Sequence, residues 1–159
     1  MVDSNETHLL AMRFADDCKT HFHRVKNHLV QQSSHLSEKE SHEIVETLFF
    51  RLLVLRFLEE KLWLRFDGNS DYLSALCSSG GIDSKSIYES RLKPLFTKGL
   101  SIDRAQQNAT YGEVPHLDLN LFYETALDGL DWDISDELIQ SLLGKNGLFY
   151  NYNFTITEF

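Results

Sequence analysis

The sequence has little cysteine. Cys18 and Cys77 are the only two in 159 residues, far apart and outside any C-x-x-C pattern. That spacing excludes a disulfide framework and points to a reducing, cytoplasmic setting. A chain of this length makes about one domain, residues 1–159, with a core large enough to need no covalent staples. No apolar run is long enough to span a bilayer. The best of them, Leu48–Leu55, is broken by Arg51. The first residues, MVDSNETH, are polar and acidic, unlike a signal peptide. Basic charge is scarce after residue 117, where Lys145 alone faces eight acids, net −7 of the total −9. Such a balance disfavours strong grip on phosphate by the chain alone and suits docking on a basic surface.

Catalytic motifs are also missing. There is no G-x-S-x-G, no Walker loop and no G-x-G-x-x-G. His21, His23 and His28 share one helical stretch with Cys18 but fall on different faces, so they do not form a closed zinc set. The acid pairs Asp16–Asp17 and Glu59–Glu60 are ordinary on helix surfaces, since acid–base work needs a pocket to shift a pKa. A small enzyme of unrelated class would need a pocket with converging polar groups.

What the chain does have is helical periodicity and rings, eleven of them Phe. The fold class expected is mainly α: three long helices, shorter ones around them, and a small β pair near the C-terminus. Residues 5–32 read as the first helix, with Leu9, Met12, Phe14, Cys18, Phe22, Val25 and Leu29 near helical spacing. Ser37 and Glu40 form a capping-box signature for the second, expected to run to about Leu64. Its stripe is Ile44, Leu48, Leu52, Leu55, Leu58 and Leu62, widened by Phe49, Phe50, Leu53, Val54 and Phe57. A helix so apolar is central and covered on most sides. Tyr72–Ser78 reads as a short helix. A third long one should be capped by Asp83 or Ser84 and run to about Leu100, kinked or interrupted at Pro94. Residues 101–115 read as a polar loop. The alternation in HLDLNLFYE is a strand signal, and NYNFTITEF is β-favourable. Ser135 opens a last helix that stops near Gly144–Gly147.

Arg51 and Arg56 interrupt the central helix. Arg56 has Glu59 and Glu60 three and four residues on, so a local ion pair is available. Arg51 has no acid at that spacing. If it is buried, its partner comes from another element, because an unpaired buried charge is costly. Otherwise it is presented to a larger assembly or to a nucleic-acid backbone.

The stretch RLLVLRFLEEKLWL, residues 51–64, resembles a signature of large adenine-specific DNA methyltransferases. These include the single-chain type IIG restriction–modification enzymes and the phage-exclusion methyltransferases. Their helical segment ahead of the catalytic domain reads R-L-x-F-L-x-F-L-x-x-K-G-W-L. DYL (71–73), YESRLKPLFTKGLS (88–101), YGEVPHLDLNLFYE (111–124) and YNFTITE (152–158) are similar to later family segments, in the same order. Two departures stand out. Leu62 occupies the family's Gly position, which implies a different helix end, and Asp118-Leu119-Asn120 stands where N-G-G is expected. The resemblance implies a non-catalytic helical N-terminal domain, one part of a longer enzyme of phage defence. It would brace the methyltransferase domain and link it to nuclease or recognition parts. S-adenosylmethionine would be bound by the enzyme's catalytic domain, since this chain has neither its Gly-rich loop nor N-P-P-Y. Candidate contacts to DNA or to that domain are Arg51, Arg56, Arg65, Lys93 and Lys98. The alternative is a stand-alone acidic inhibitor or DNA mimic, docking on a DNA-processing enzyme through Asp128, Asp131 and Asp133.

Overall fold

The computed structural model describes residues 4–101 and 106–152. The protein is mainly helical, as its periodicity predicts. Helix α1 is Ser4–Gln32, α2 is Glu38–Glu60 and α3 is Tyr72–Ser78. A fourth helical segment follows in two wide-turned parts, Tyr88–Leu92 and Leu95–Gly99. Helix α4, Asp136–Leu143, comes last of the α-helices. Short 3-10 turns at Asn120–Phe122 and Leu148–Tyr150 complete the helical set among the described residues.

Helix α2 is the central element. Its capping box forms as the sequence predicts: the Ser37 hydroxyl accepts from the Glu40 N–H at 3.1 Å, and the Glu40 carboxylate accepts from the Ser37 N–H at 2.8 Å. Ile44, Leu48, Leu52, Leu55 and Leu58 are all buried. Around them lies one continuous core that draws on every other helical element, from Val25 and Leu29 of α1 to Leu142 and Leu143 of α4. Rings line its seams, with Phe22 and Phe49 5.6 Å apart and Phe49 and Phe149 6.0 Å apart, both edge to face.

Four local expectations are corrected. Helix α2 stops at Glu60, not Leu64, because Leu62 turns left-handed at φ 61°. The Leu62 N–H donates to Glu59 O at 2.9 Å and the Trp63 N–H to Leu58 O at 3.1 Å, which is a Schellman stop. The leucine therefore takes the left-handed geometry that a glycine usually takes. Leu62 leaves the apolar stripe and, with Trp63, is 58% exposed. Holding an L-residue there costs about 1–2 kcal/mol. Leu62→Gly is therefore expected to stabilise the fold by about 1 kcal/mol, after its unfolded-state entropy is counted. Chemical denaturation of the two proteins measures this.

The third long helix begins later than expected. Asp83 and Ser84 both have positive φ, 53° and 64°, and belong to the preceding turn. Ser86 takes the capping role, its hydroxyl accepting from the Glu89 N–H at 3.0 Å. Pro94 has no N–H to give, and the helix widens on both sides of it. The Lys93 N–H reaches back five residues to Tyr88 O, and the Leu100 N–H five residues to Leu95 O.

The strand signal at 116–124 is not realised. That segment runs into the 3-10 turn Asn120–Phe122 instead. The β pair lies just before it, inside the stretch that reads as a polar loop. Strands β1, Gln106–Asn108, and β2, Gly112–Val114, pair antiparallel with Gln106 opposite Val114. Arg65 extends the ladder, exchanging two main-chain bonds with Glu113 at 3.1 and 2.7 Å. The β-favourable reading of NYNFTITEF falls largely on residues 153–159, outside the described residues.

Candidate functional site

The two arginines of α2 face inward. Arg51 is 2% exposed and Asp128 4%. The guanidinium grips the carboxylate with both ends, Nη1 to Oδ1 at 2.9 Å and Nη2 to Oδ2 at 3.0 Å. Its Nε donates to Leu121 O at 2.8 Å, and the group lies 5.2 Å over the ring of Phe96. Asp128 is satisfied from its own side too, accepting from the Thr125 N–H at 2.9 Å and the Thr125 hydroxyl at 3.2 Å. Burial pushes the Asp128 pKa up. The Arg51 and Thr125 hydrogen bonds and the Arg51 charge outweigh it and hold the carboxyl below its ordinary value.

One and a half turns on, Arg56 repeats the design. Its Nε donates to Phe149 O at 3.0 Å, Nη1 meets Glu59 Oε1 at 3.2 Å, and it pairs with Glu60 as well. Its guanidinium stands 4.8 Å over the Tyr150 ring. Glu59 is buried and fully engaged. Beyond Arg56 it accepts from the Leu73 N–H at 2.8 Å and from the Tyr150 hydroxyl at 2.6 Å. The same tyrosine oxygen accepts from the Ser74 N–H at 3.0 Å. Burial raises the Glu59 pKa despite these donors.

A third buried arginine was not among the sequence candidates. Arg91 is 8% exposed. It donates through Nε to Gly80 O and through Nη1 to Thr110 O at 3.0 Å, with its guanidinium 5.4 Å from the Phe66 ring. Its signal in the sequence is position. It stands three residues after Tyr88 and four before Leu95, on the stripe that those apolar residues define. Burial lowers its pKa, and no carboxylate in the described residues pairs with it. Main-chain carbonyls and a ring face supply the negative potential in place of one.

These contacts relocate the candidate residues. Arg51 and Arg56 are consumed by the core and present no charge to DNA or to another domain. Asp128 is likewise withdrawn from docking by Arg51. Asp133 stays exposed, but its carboxylate accepts from the Ser86 hydroxyl at 2.7 Å and the Ile134 N–H at 2.8 Å. Asp131, Arg65 and Lys98 are exposed, and Lys93 is half-buried with Glu89 at 3.5 Å. The open cleft beside Arg65 also carries Asp67, Asn108 and Glu113, so its charge is mixed, and the hydroxyl of its Ser79 donates to Ala75 O at 3.0 Å. Among the described residues, no three of His, Cys, Asp and Glu are grouped to hold a metal ion. Burial pushes the thiols of Cys18 and Cys77 up to about 11 and about 12, which favours the protonated form of both near neutral pH. No described helix is long and apolar enough to cross a membrane.

No protein-family model, curated protein or solved structure matches this chain.

The surface does offer apolar residues. Leu62 and Trp63 stand out at the end of α2, and Phe50 stands out on its outer face. The first turns of α1 are exposed all round and carry Leu9, Leu10 and Met12. Exposed apolar groups of this kind suit docking.

Proposed function

We propose that the chain is the non-catalytic helical N-terminal domain of a restriction–modification type adenine-specific DNA methyltransferase. It braces the catalytic domain in the cytoplasm and links it to nuclease or recognition parts. One observation carries this reading: the segments that resemble the family pack on one another. Arg51 and Arg56, from 51–64, hold Leu121 in 111–124 and the Phe149–Tyr150 turn just ahead of 152–158. The Tyr72 hydroxyl, from 71–73, donates to Tyr111 O in 111–124. Arg91, from 88–101, spans to Thr110 beside that same segment. A set of motifs that is spread along a chain yet meets in one core behaves as one structural unit. The exposed Leu62, Trp63, Leu9 and Met12 give this unit apolar surface for a neighbouring domain.

DNA contact and S-adenosylmethionine binding then belong to the enzyme as a whole. The purified chain, incubated with adenine-containing duplex and labelled S-adenosylmethionine, is expected to transfer no methyl group. Transfer above the no-protein blank would overturn the reading. The same chain is expected to bind duplex only weakly, because two of its five candidate cations are spent inside the core.

A further inference from the structure

We propose that residues 148–152 form a strap that holds the N-terminal half of α1, coupling the position of that arm to the course of the chain at Tyr152. The arm lies largely open to solvent. Residues 4–13 are exposed, and Phe14 and Cys18 are only half-buried, whereas Val25 and Leu29 further along the same helix are fully covered. Tertiary packing supplies most of a helix's stability in a protein, so a solvent-exposed half-helix is held less firmly than its docked end. Tyr152 packs on this half of the helix directly. That ring meets Phe14 edge to face at 4.9 Å, and its hydroxyl donates to the Asp17 carboxylate.

The strap is fixed at its other end to α2 and α3. Phe149 is fully buried against Phe49 and gives its carbonyl to Arg56. Tyr150 lies under the Arg56 guanidinium and spans Glu59 and Ser74. Within five residues the chain is thus tied to α2, to α3 and to the arm of α1. A displacement of the chain at Tyr152 is transmitted to Phe14 and Asp17, while the Arg56–Glu59 anchor stays in place. This inference concerns the fold alone and stands whether or not the domain serves a methyltransferase.

Amide hydrogen exchange on the full chain tests it. In Tyr152→Ala the amides of residues 8–17 are expected to exchange about tenfold faster, from loss of the ring pair and a hydrogen bond to a charged group. Tyr152→Phe keeps the ring and should show about threefold. In both variants the amides of 44–58, in α2, should keep their protection. Exchange at 8–17 within twofold of the parent would overturn the proposal, and so would equal acceleration in the arm and α2, which would make Tyr152 an ordinary core residue. If Tyr152→Ala does not fold, Tyr152→Phe, which removes only the hydroxyl bond, and Asp17→Asn, which weakens it by removing the carboxylate charge, carry the same comparison.

Discussion

Asp128→Asn is expected to cost about 3–5 kcal/mol of stability, the usual penalty for removing one partner of a buried ion pair. The shape of the side chain is nearly kept, so no cavity accounts for the loss. What remains is Arg51, 2% exposed, with its charge facing an amide. For a domain of this size that is roughly 6–20 °C in Tm, read by calorimetry or by circular dichroism. Arg51→Met paired with Asp128→Leu should recover much of the loss, because apolar replacement of a whole buried pair is often neutral. A double variant as unstable as the single one would show that Leu121 and its neighbours depend on the guanidinium itself.

The same pair fixes a pH dependence. The Asp128 carboxyl titrates lower when folded than when unfolded. Its contribution is therefore complete above the unfolded value, about pH 4, and is lost as pH falls through the folded one. The stability gap between the parent and Asp128→Asn should narrow below about pH 4. Glu59 acts in the opposite sense. Its folded pKa is raised, so its contribution is complete below the unfolded value, about pH 4.3, and is lost as pH rises through the folded one. Glu59→Gln should therefore gain on the parent as pH rises through that range. Denaturation midpoints between pH 3 and pH 8 separate the two slopes.

Gly112→Ala is the second large effect. Gly112 has φ 76°, and a Cβ built there lies 2.4 Å from Arg65 O. The backbone conformation costs about 1–2 kcal/mol for an L-residue, and overpacking against a main-chain oxygen adds about 1–3. A total of about 3 kcal/mol is expected. The damage should be local at first. Arg65 exchanges its two main-chain bonds with Glu113, the next residue, so the hairpin must leave that edge. Loss of amide protection at Arg65 and Glu113 before any change in α2 is the signature to look for. Gly68 also has positive φ but open space around it, so Gly68→Ala should pay only the backbone cost.

Legibility in the sequence followed distance along the chain. The Ser37–Glu40 box and the Arg56–Glu59–Glu60 pairing were readable because each closes within four residues. The end of α2 was misread by four residues. The pattern there continued apolar to Leu64, and nothing local marked Leu62 as the left-handed residue, since glycine is the usual sign. The strand pair was missed because QQN and GEV are polar and short, and their pairing leans on Arg65, more than forty residues earlier. For Arg51 the sequence correctly required a partner from another element. It could not choose Asp128 among the acids of the tail, because the choice is made by the turn at Thr125 that aims the carboxylate. Arg91 lay in plain view on an apolar stripe, and its carbonyl partners are set by loops that have no sequence signature of their own.

The long reach of the two α2 arginines has a consequence for biosynthesis. Arg51 waits for a partner 77 residues later, and Arg56 for one 93 residues later. At translation speeds of about 5–20 residues per second, the faces of α2 that meet those late segments stay uncovered for roughly 5–20 seconds after they are made. In that interval the two charges are an asset. They add charge to a stretch otherwise rich in Leu, Val and Phe on the nascent chain, and Arg51 gains its carboxylate only when Asp128 arrives, as Arg56 gains its carbonyl cap only with Phe149. The residues that lock the finished core are the same ones that delay its premature collapse.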